Sequence, residues 1–262
     1  MFPKIQWSLP LLCLLNLASL AQCYATPHTL VKHNAATNNS TTTLPQNFGV
    51  VVFRAFLMQD MVAIVDPLQI LANSFHMNLY ILAETLDAVT TEPGSAATNG
   101  LNSSFWPQLV PTHTFASAPD DIEVLIVPGG PGVRAADVSA VTDYIRATYP
   151  QLKYLITVCT GAGLAAKAGV LDGRRATTNK ASWATITAMG PNTTWVSPAR
   201  WVVDGNIWTS SGVTAGLDLV FAWISEVWGP EWADRIEGME EYVPHAQDFD
   251  PFAARYNVTP SG

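Results

Sequence analysis

The segment LITVCTGAGLAAKAGVLDGRRATTN, residues 155–179, decides the predicted fold of this chain. It begins with an apolar run of β-forming residues that ends at Cys159, and small residues suited to a helix follow at once. A buried strand that leads straight into a helix needs a sharp turn, which projects the thiol from the carboxyl end of the strand. Ligand sites of open α/β sheets lie at that end. We therefore predict that Cys159 occupies a strand-to-helix turn at a functional site.

Further strands and helices alternate on both sides of this segment, which predicts an α/β fold with a mostly parallel sheet covered on both faces. Asp66 and Pro67 have the residue types of an N-cap and a first helical position, so we expect the first helix to begin there. The other expected elements are strands over 49–53, 77–83, 122–127 and 152–158, a hairpin around 204–206, and helices over 135–148, 164–168, 182–189, 215–228 and 232–239.

The amino terminus has the pattern of a secretory signal peptide. Lys4 precedes the apolar run of residues 8–20, and small residues follow it. We expect residues 1–25 to be this peptide, with a membrane anchor as the alternative, residues 26–46 to be a flexible leader, and residues 47–262 to form a single domain. The mature chain would then be secreted, without membrane attachment, and would keep Cys159 as its one cysteine.

Composition bears on the partners that we expect. A formal net charge of −8 disfavours binding to nucleic acid, because an acidic surface repels phosphate. No histidines have metal-ligand spacing, so no metal site is expected. Glycosylation of the exported chain would suit the Asn-x-Ser/Thr sequences at Asn38, Asn39, Asn102, Asn192 and Asn257.

The turn at Cys159 predicts a site with converging backbone donors. The N–H groups of Thr160 and Gly161 should face the sulfur, and the helix amino terminus should lower the pKa of the thiol. Gly129 and Gly130 end the neighbouring strand, so an N–H from that loop and the N–H of Thr160 would form an oxyanion hole. The alternative is that Cys159 is a buried structural cysteine.

Three blocks of sequence, residues 123–130, 155–179 and 203–218, resemble the ThiJ/PfpI superfamily, and within it the isocyanide (isonitrile) hydratase-like proteins that are common in fungi. The resemblance spans about residues 48–242. It implies a flavodoxin-like three-layer sandwich, a nucleophile-elbow cysteine at Cys159, frequent homodimers, no metal and no organic cofactor. Members of the superfamily include hydratases, glyoxalase-like or deglycase-like enzymes, peptidases and non-catalytic relatives.

The chain departs from this family pattern beside the cysteine. Counted from Pro67, the position of the usual carboxylate is Ala63, so Asp66 is the nearest substitute and Asp60 a second candidate. Thr160 stands where peptidase-like members have histidine. Where isocyanide hydratases tend to have histidine, this chain has Asn179, which we expect to line a small-molecule pocket with Thr178 and Trp183.

Three functions remain open at this point. The first is isocyanide hydration through Cys159, with the N–H groups of Thr160 and Gly130 stabilising the developing negative charge. The second is a repurposed pocket, a cyclase, isomerase or hydrolase of fungal secondary metabolism that does not depend on the cysteine and uses polar side chains such as Asp66 and Asn179. The third is a non-catalytic binding or redox-sensing protein whose Cys159 is oxidised under stress.

Overall fold

A seven-stranded sheet forms the centre of the computed structural model, which describes residues 43–94 and 98–259. The strands of the described chain are β1 (Asn47–Val51), β2 (Asn78–Ala83), β3 (Val89–Thr90), β4 (Gln108–Leu109), β5 (His113–Thr114), β6 (Val124–Val127), β7 (Tyr154–Thr157), β8 (Arg175–Ala176), β9 (Thr194–Trp195), β10 (Trp201–Asp204) and β11 (Ile207–Ser210). The order across the main sheet is β10-β11-β7-β6-β1-β2-β5, and its pairings are parallel except for the β10–β11 hairpin. Two small ribbons, β3–β4 and β8–β9, complete the strands of this region.

Helices cover both faces of the sheet. They are α1 (Met58–Leu71), α2 (Ser139–Thr148), α3 (Gly161–Lys167), α4 (Trp183–Thr187), α5 (Ala215–Val227), α6 (Pro230–Glu240) and α7 (Pro251–Arg255), with 3₁₀ turns at Phe115–Ser117, Pro131–Arg134, Tyr149–Gln151 and Lys180–Ser182. Helices α1, α5 and α6 pack together on one face, and α2 and α3 pack on the other.

Alternation along the strands places apolar side chains in both layers of the core. Val50 and Ile126 belong to the cluster beneath α1 and α5, whereas their neighbours Val51 and Leu125 belong to the cluster beneath α2 and α3. Successive residues of a strand point to opposite faces, so a strand buried on both sides reads as a continuous apolar run. The prediction of a three-layer α/β sandwich with a mostly parallel sheet is confirmed.

The start of the first helix differs from the prediction. Helix α1 begins at Met58, and Pro67 lies inside it rather than at its first turn. The apolar residues Met61, Ile64 and Leu68 follow helical spacing and are buried, so the packing of this face outweighs the hydrogen bond that Pro67 cannot make. The earlier start places Asp60 in the first turn of α1 instead of in the preceding loop.

The two ends of the domain are held by specific contacts. The predicted signal peptide and residues 26–42 of the predicted leader lie outside the described residues. The last part of that leader, residues 43–46, packs against the domain: Pro45 is buried, and the Gln46 N–H donates to Glu123 Oε2 at 2.5 Å. Near the carboxyl terminus, the Gln247 carbonyl accepts from the Arg200 N–H (2.8 Å) beside the edge strand β10. No helix within the described residues is long and apolar enough to cross a membrane.

Candidate active site at Cys159

Cys159 lies in a tight turn between β7 and α3. Its φ angle is +58°, a left-handed conformation that a residue with a side chain adopts only when its surroundings enforce it. Two hydrogen bonds supply that constraint: the Cys159 N–H donates to the Ser210 carbonyl (3.2 Å), and its carbonyl accepts from the Thr178 hydroxyl (2.8 Å). The Gly161 N–H donates to the Val158 carbonyl and closes the turn (2.9 Å), so it is not directed at the sulfur as expected.

Asp60 is the carboxylate beside Cys159. Its side chain is fully buried, and its Oδ2 accepts a hydrogen bond from the Gly129 N–H at 2.9 Å. The second oxygen, Oδ1, has no N–H or O–H partner within the described residues. The thiol of Cys159 is close enough to lower the pKa of this carboxyl as a weak donor, although burial has the larger and opposite effect. The site therefore contains a carboxyl group that is only half satisfied by the protein.

The structure corrects the expected identity of this acid. Asp66, the predicted partner of the cysteine, is exposed on α1, and its charge contributes to the raised pKa of Glu240 after the larger effect of burial. Ala63, the position that the family pattern assigned to the acid, is buried beneath Gly216 of α5. The acid is present at Asp60, and its expected absence followed from taking Pro67 as the start of the helix.

Burial controls the protonation of this pair. Burial raises the pKa of Asp60 to about 7. Burial, together with the negative charge of Asp60, raises the pKa of the Cys159 thiol, and hydrogen bonds from the Thr160 N–H and hydroxyl offset this only in part. The expectation of a lowered thiol pKa is therefore wrong, because loss of solvent outweighs the helix terminus. The two groups titrate as one unit that holds a proton well above neutral pH.

Gly129 and Gly130, in the loop after β6, hydrogen-bond to two residues of the site. The Gly129 N–H donates to Asp60, and the Gly130 N–H donates to the Thr160 hydroxyl at 2.8 Å. Both N–H groups are thus engaged, which contradicts their predicted role as oxyanion donors and leaves the Thr160 N–H as the donor that faces the sulfur. A Cβ at Gly129 would lie 2.5 Å from the Thr160 hydroxyl and 2.9 Å from Asp60 Oδ2, so only glycine fits there.

The predicted pocket residues have mainly structural contacts. Thr178 is fully buried and holds the Cys159 carbonyl. The Asn179 side chain accepts from the Ser182 N–H at 3.1 Å and caps a 3₁₀ turn, and its amide nitrogen faces Gly212. Trp183 packs edge-on against Trp195 with ring centroids 6.3 Å apart. Of the three, Asn179 is the partly exposed polar group that remains available to a ligand.

Access to the sulfur is narrow. Cys159 retains 6% of its surface exposed and belongs to the apolar cluster beneath α1. A cleft of about 250 Å³ opens at the carboxyl ends of β1 and β2, lined in part by Phe53, Arg54 and Glu84, and an apolar groove of about 120 Å³ lies between α1 and β2. Neither of these two cavities is lined by Cys159. A ligand that reaches the thiol in this conformation must present a slender reactive end.

A nucleophile-elbow cysteine beside a buried acid on this α/β sandwich defines a class of protein, and the chain belongs to it: residues 50–226 match the DJ-1/PfpI family. The predicted ThiJ/PfpI membership is thereby confirmed.

Individual relatives differ in what they do. The chain is 32% identical to the isonitrile hydratase of Pseudomonas putida over 201 residues, which cover 76% of this chain and 80% of that enzyme. It is 29% identical over 203 residues to the HTH-type transcriptional regulator CdhR of Pseudomonas aeruginosa, covering 76% of this chain and 55% of the regulator. Among solved structures, a ThiJ/PfpI family protein from Pseudomonas syringae superposes with a TM-score of 0.64 at 26% identity, covering 86% of this chain and 85% of the other.

Proposed function

We propose that this chain is a hydratase that adds water to the terminal carbon of small isonitriles, with Cys159 as nucleophile and Asp60 as proton donor and acceptor. One observation carries the proposal: the buried carboxyl of Asp60 lies beside the thiol with an oxygen that no N–H or O–H of the described chain satisfies. Such a group lowers the stability of the fold. Proteins keep such groups mainly where they have a chemical use. Similarity to an isonitrile hydratase supports the substrate class.

The shared proton makes the pair suitable for this reaction. With one proton between them, the two groups carry one negative charge whichever of them is ionised. Transfer of the proton from sulfur to the Asp60 carboxyl group therefore leaves the buried charge unchanged, so desolvation does not oppose it. The resulting thiolate and carboxylic acid are a nucleophile and a general acid side by side.

The first chemical step joins the cysteine to the substrate. The sulfur forms a bond to the terminal carbon of the isonitrile, and the proton of Asp60 passes to the same carbon. The carbon–nitrogen triple bond becomes a double bond, which gives a thioimidate on Cys159 and a carboxylate on Asp60. The total charge of the site is unchanged, and the Thr160 N–H remains directed at the sulfur.

Water completes the cycle. Asp60 accepts one proton from water as the oxygen bonds to the thioimidate carbon, and then delivers that proton to the substrate nitrogen. Cleavage of the carbon–sulfur bond releases an N-substituted formamide, and the proton of the hydroxyl group returns to the Asp60–Cys159 pair. One isonitrile and one water are consumed for each formamide, with no other reactant.

The narrow approach to Cys159 is compatible with this substrate class. The terminal carbon of an isonitrile bears no substituent and lies on a linear group, so it can reach the thiol of a residue that is only 6% exposed. A branched carbonyl carbon would need a wider opening. The partly exposed amide of Asn179, next to Gly212, is the predicted pocket group that remains available to the substrate.

The test is turnover of benzyl isocyanide by the full chain, followed by the appearance of N-benzylformamide. Asp60→Asn keeps an acceptor for the Gly129 N–H but cannot donate a carboxyl proton, so we expect its rate to fall by about 10²–10⁴-fold. Cys159→Ser should lose activity as well. Asp66→Asn, an exposed change on the same helix, is the matched control and should retain the wild-type rate. Equal rates for Asp60→Asn and Asp66→Asn would refute the proposal.

A non-catalytic role is the second candidate, and the high pKa and low exposure of the thiol favour it. In that case the chain would bind a small molecule near Asn179 without turnover, as would suit a family that also contains transcriptional regulators. Binding that persists in Cys159→Ser, measured by calorimetry with benzyl isocyanide, together with no formamide from the wild type, would favour this candidate.

We further propose that the chain is exported and glycosylated. The support is the signal-like amino terminus and the exposure of the sequon residues Asn102, Asn192 and Asn257. Secretion by a eukaryotic host, with a mass decrease on treatment with an N-glycosidase, is the expected result. The homodimer implied by the family resemblance stays a prediction.

A further inference from the structure

Lys180 is buried behind the active site. It retains 3% of its surface exposed, and burial lowers the pKa of its amine. A buried lysine is unusual and needs partners for its charge and its N–H groups. Those partners come from three separate loops: its Nζ donates to Thr177 Oγ1 (3.0 Å), the Thr178 carbonyl (3.2 Å), the Ala199 carbonyl (3.1 Å) and Ser211 Oγ (3.1 Å).

Asp250 supplies the opposite charge. Its Oδ2 lies 3.1 Å from Lys180 Nζ, and it also accepts from the Ala199 N–H at 3.1 Å. Both side chains of the pair are 1% exposed. Asp250 precedes α7, beyond residue 226 where the family match ends. The pair therefore attaches a carboxyl-terminal segment of this chain to the back of its active site.

Lys180 contacts the groups next to those that hold Cys159 in its left-handed conformation. The Thr178 hydroxyl donates to the Cys159 carbonyl, and the Thr178 carbonyl accepts from Lys180. The Ser210 carbonyl accepts from the Cys159 N–H, and the adjacent Ser211 hydroxyl contacts both Lys180 and the Thr178 carbonyl (3.3 Å to the latter). The two segments that constrain the cysteine backbone are thus tied to each other through one ammonium group.

We propose that Lys180, anchored by Asp250, is a positioning residue for Cys159. It does not touch the reacting atoms. By fixing the segment of Thr178 and the end of β11 at Ser210, it keeps the cysteine at a φ of +58°, where its sulfur faces Asp60 and the Thr160 N–H. The inference rests on the proposed function in so far as Cys159 is the reactive group, and it extends the active site to Asp250.

The experiment separates positioning from simple stabilisation by removing the two charges together. Asp250→Asn alone leaves the ammonium of Lys180 buried and unpaired, which destabilises the fold. The double variant Lys180→Met/Asp250→Asn has no buried charge at this pair, and the amide oxygen that it introduces at position 250 can still accept from the Ala199 N–H. Asp248→Asn, an exposed change in the same segment, is the matched control.

Two measurements are made on the full chain. One is the pH dependence of iodoacetamide alkylation, followed on the Cys159 peptide by mass spectrometry because Cys13 and Cys23 are also thiols. The other is kcat and KM for benzyl isocyanide. For the double variant we expect a melting temperature closer to the wild type than that of Asp250→Asn, a displaced alkylation profile, and a kcat lower by about tenfold or more with KM little changed.

The outcomes are distinct. Restoration of both the melting temperature and the wild-type alkylation profile in the double variant would overturn the inference, because the pair would then serve stability alone. An alkylation profile that is the same in every variant would also overturn it. Should Asp250→Asn fail to fold, comparison of the double variant with the wild type and with Asp248→Asn decides. A displaced profile in a chain whose wild type forms no formamide would support positioning and refute the hydratase.

Discussion

Two buried polar clusters adjoin the Cys159 turn, and they differ in how well the protein satisfies their hydrogen-bonding groups. Around Lys180 and Asp250, opposite charges meet, and the ammonium is surrounded by oxygen atoms from several loops. Around Asp60 and Cys159, two groups that ionise to the same sign are pressed together, and Asp60 Oδ1 is left without an N–H or O–H partner from the described chain.

The difference indicates that the Lys180–Asp250 cluster has a structural role and the Asp60–Cys159 cluster a chemical one. A saturated pair has no capacity left for a ligand, and its value lies in fixing the loops that it joins. An unsatisfied carboxyl beside a thiol can accept and donate a proton, which a reaction needs and a fold does not. Thr178 connects the two clusters, because its carbonyl faces Lys180 and its hydroxyl holds Cys159.

The largest effect on stability should come from breaking the saturated pair. Lys180→Met leaves the carboxylate of Asp250 buried without its counter-charge, and we expect the free energy of unfolding to fall by about 3–5 kcal/mol. Urea denaturation measures this. Lys153→Met is the control, since the Lys153–Glu123 pair (2.6 Å) is partly exposed and should be worth about 1 kcal/mol or less. Similar losses of unfolding free energy in the two variants would show that the buried Lys180–Asp250 pair matters no more to stability than a partly exposed one.

Removing the ionisable group of the unsatisfied cluster should raise the free energy of unfolding instead of lowering it. The pKa of Asp60 is about 7 in the folded chain, against an ordinary value of 3.8. Between these values the folded state holds a proton that the unfolded chain has released, so Asp60 makes stability fall as the pH rises from about 4 to about 7. Asparagine does not ionise. Asp60→Asn should therefore be more stable than the wild type above pH 7, by up to about 4 kcal/mol.

Chemical denaturation of Asp60→Asn and the wild type at pH 4 and pH 8 tests whether the variant becomes the more stable protein as the pH rises. The advantage of the variant should be present at pH 8 and nearly absent at pH 4. An advantage that is larger at pH 4, or a variant that is less stable at both values, would mean that the carboxylate is stabilised by its surroundings rather than strained by them.

The link between the clusters should have a smaller effect. Thr178→Val preserves the shape of the side chain but leaves the buried Cys159 carbonyl without its donor, at a cost of about 1–3 kcal/mol. Thr187→Val is the control, because the Thr187 hydroxyl donates to the Trp183 carbonyl (2.9 Å) at a partly buried position of α4. Thermal denaturation of both variants is the measurement, and equal shifts would indicate that the Cys159 carbonyl has no special need of Thr178.

Local sequence was sufficient to predict the Cys159 turn. A β-forming run, one cysteine and a run of small residues leave few residues in which the chain can reverse, so the position of the thiol followed directly. The hairpin of β10 and β11 was equally evident, because Asp204-Gly205-Asn206 is a strong turn signal between apolar runs. In both cases the decisive interactions lie close together in the chain.

The partners of the thiol could not be predicted in the same way. The sequence ranks Asp60 only as a second candidate, after Asp66, because the residue types of Asp66 and Pro67 predict a helix start there, whereas α1 begins at Met58. The signal that would have found it is the helical spacing of Met61, Ile64 and Leu68, which continues upstream of the proline. The engagement of the Gly130 N–H by Thr160 and the burial of Lys180 depend on tertiary contacts, and no local pattern specifies them.

The most direct test of the account is the titration of Asp60 itself. The Cγ resonance of Asp60 in a ¹³C-labelled chain, assigned by its loss in Asp60→Asn, reports the protonation of this one carboxyl. We predict a midpoint near pH 7, as expected for an acid that is buried beside a thiol and retains a proton for transfer. A midpoint near the ordinary value of 3.8 would show that burial does not raise the pKa of this carboxyl, and it would contradict the role of Asp60 as an acid that retains a proton near neutral pH.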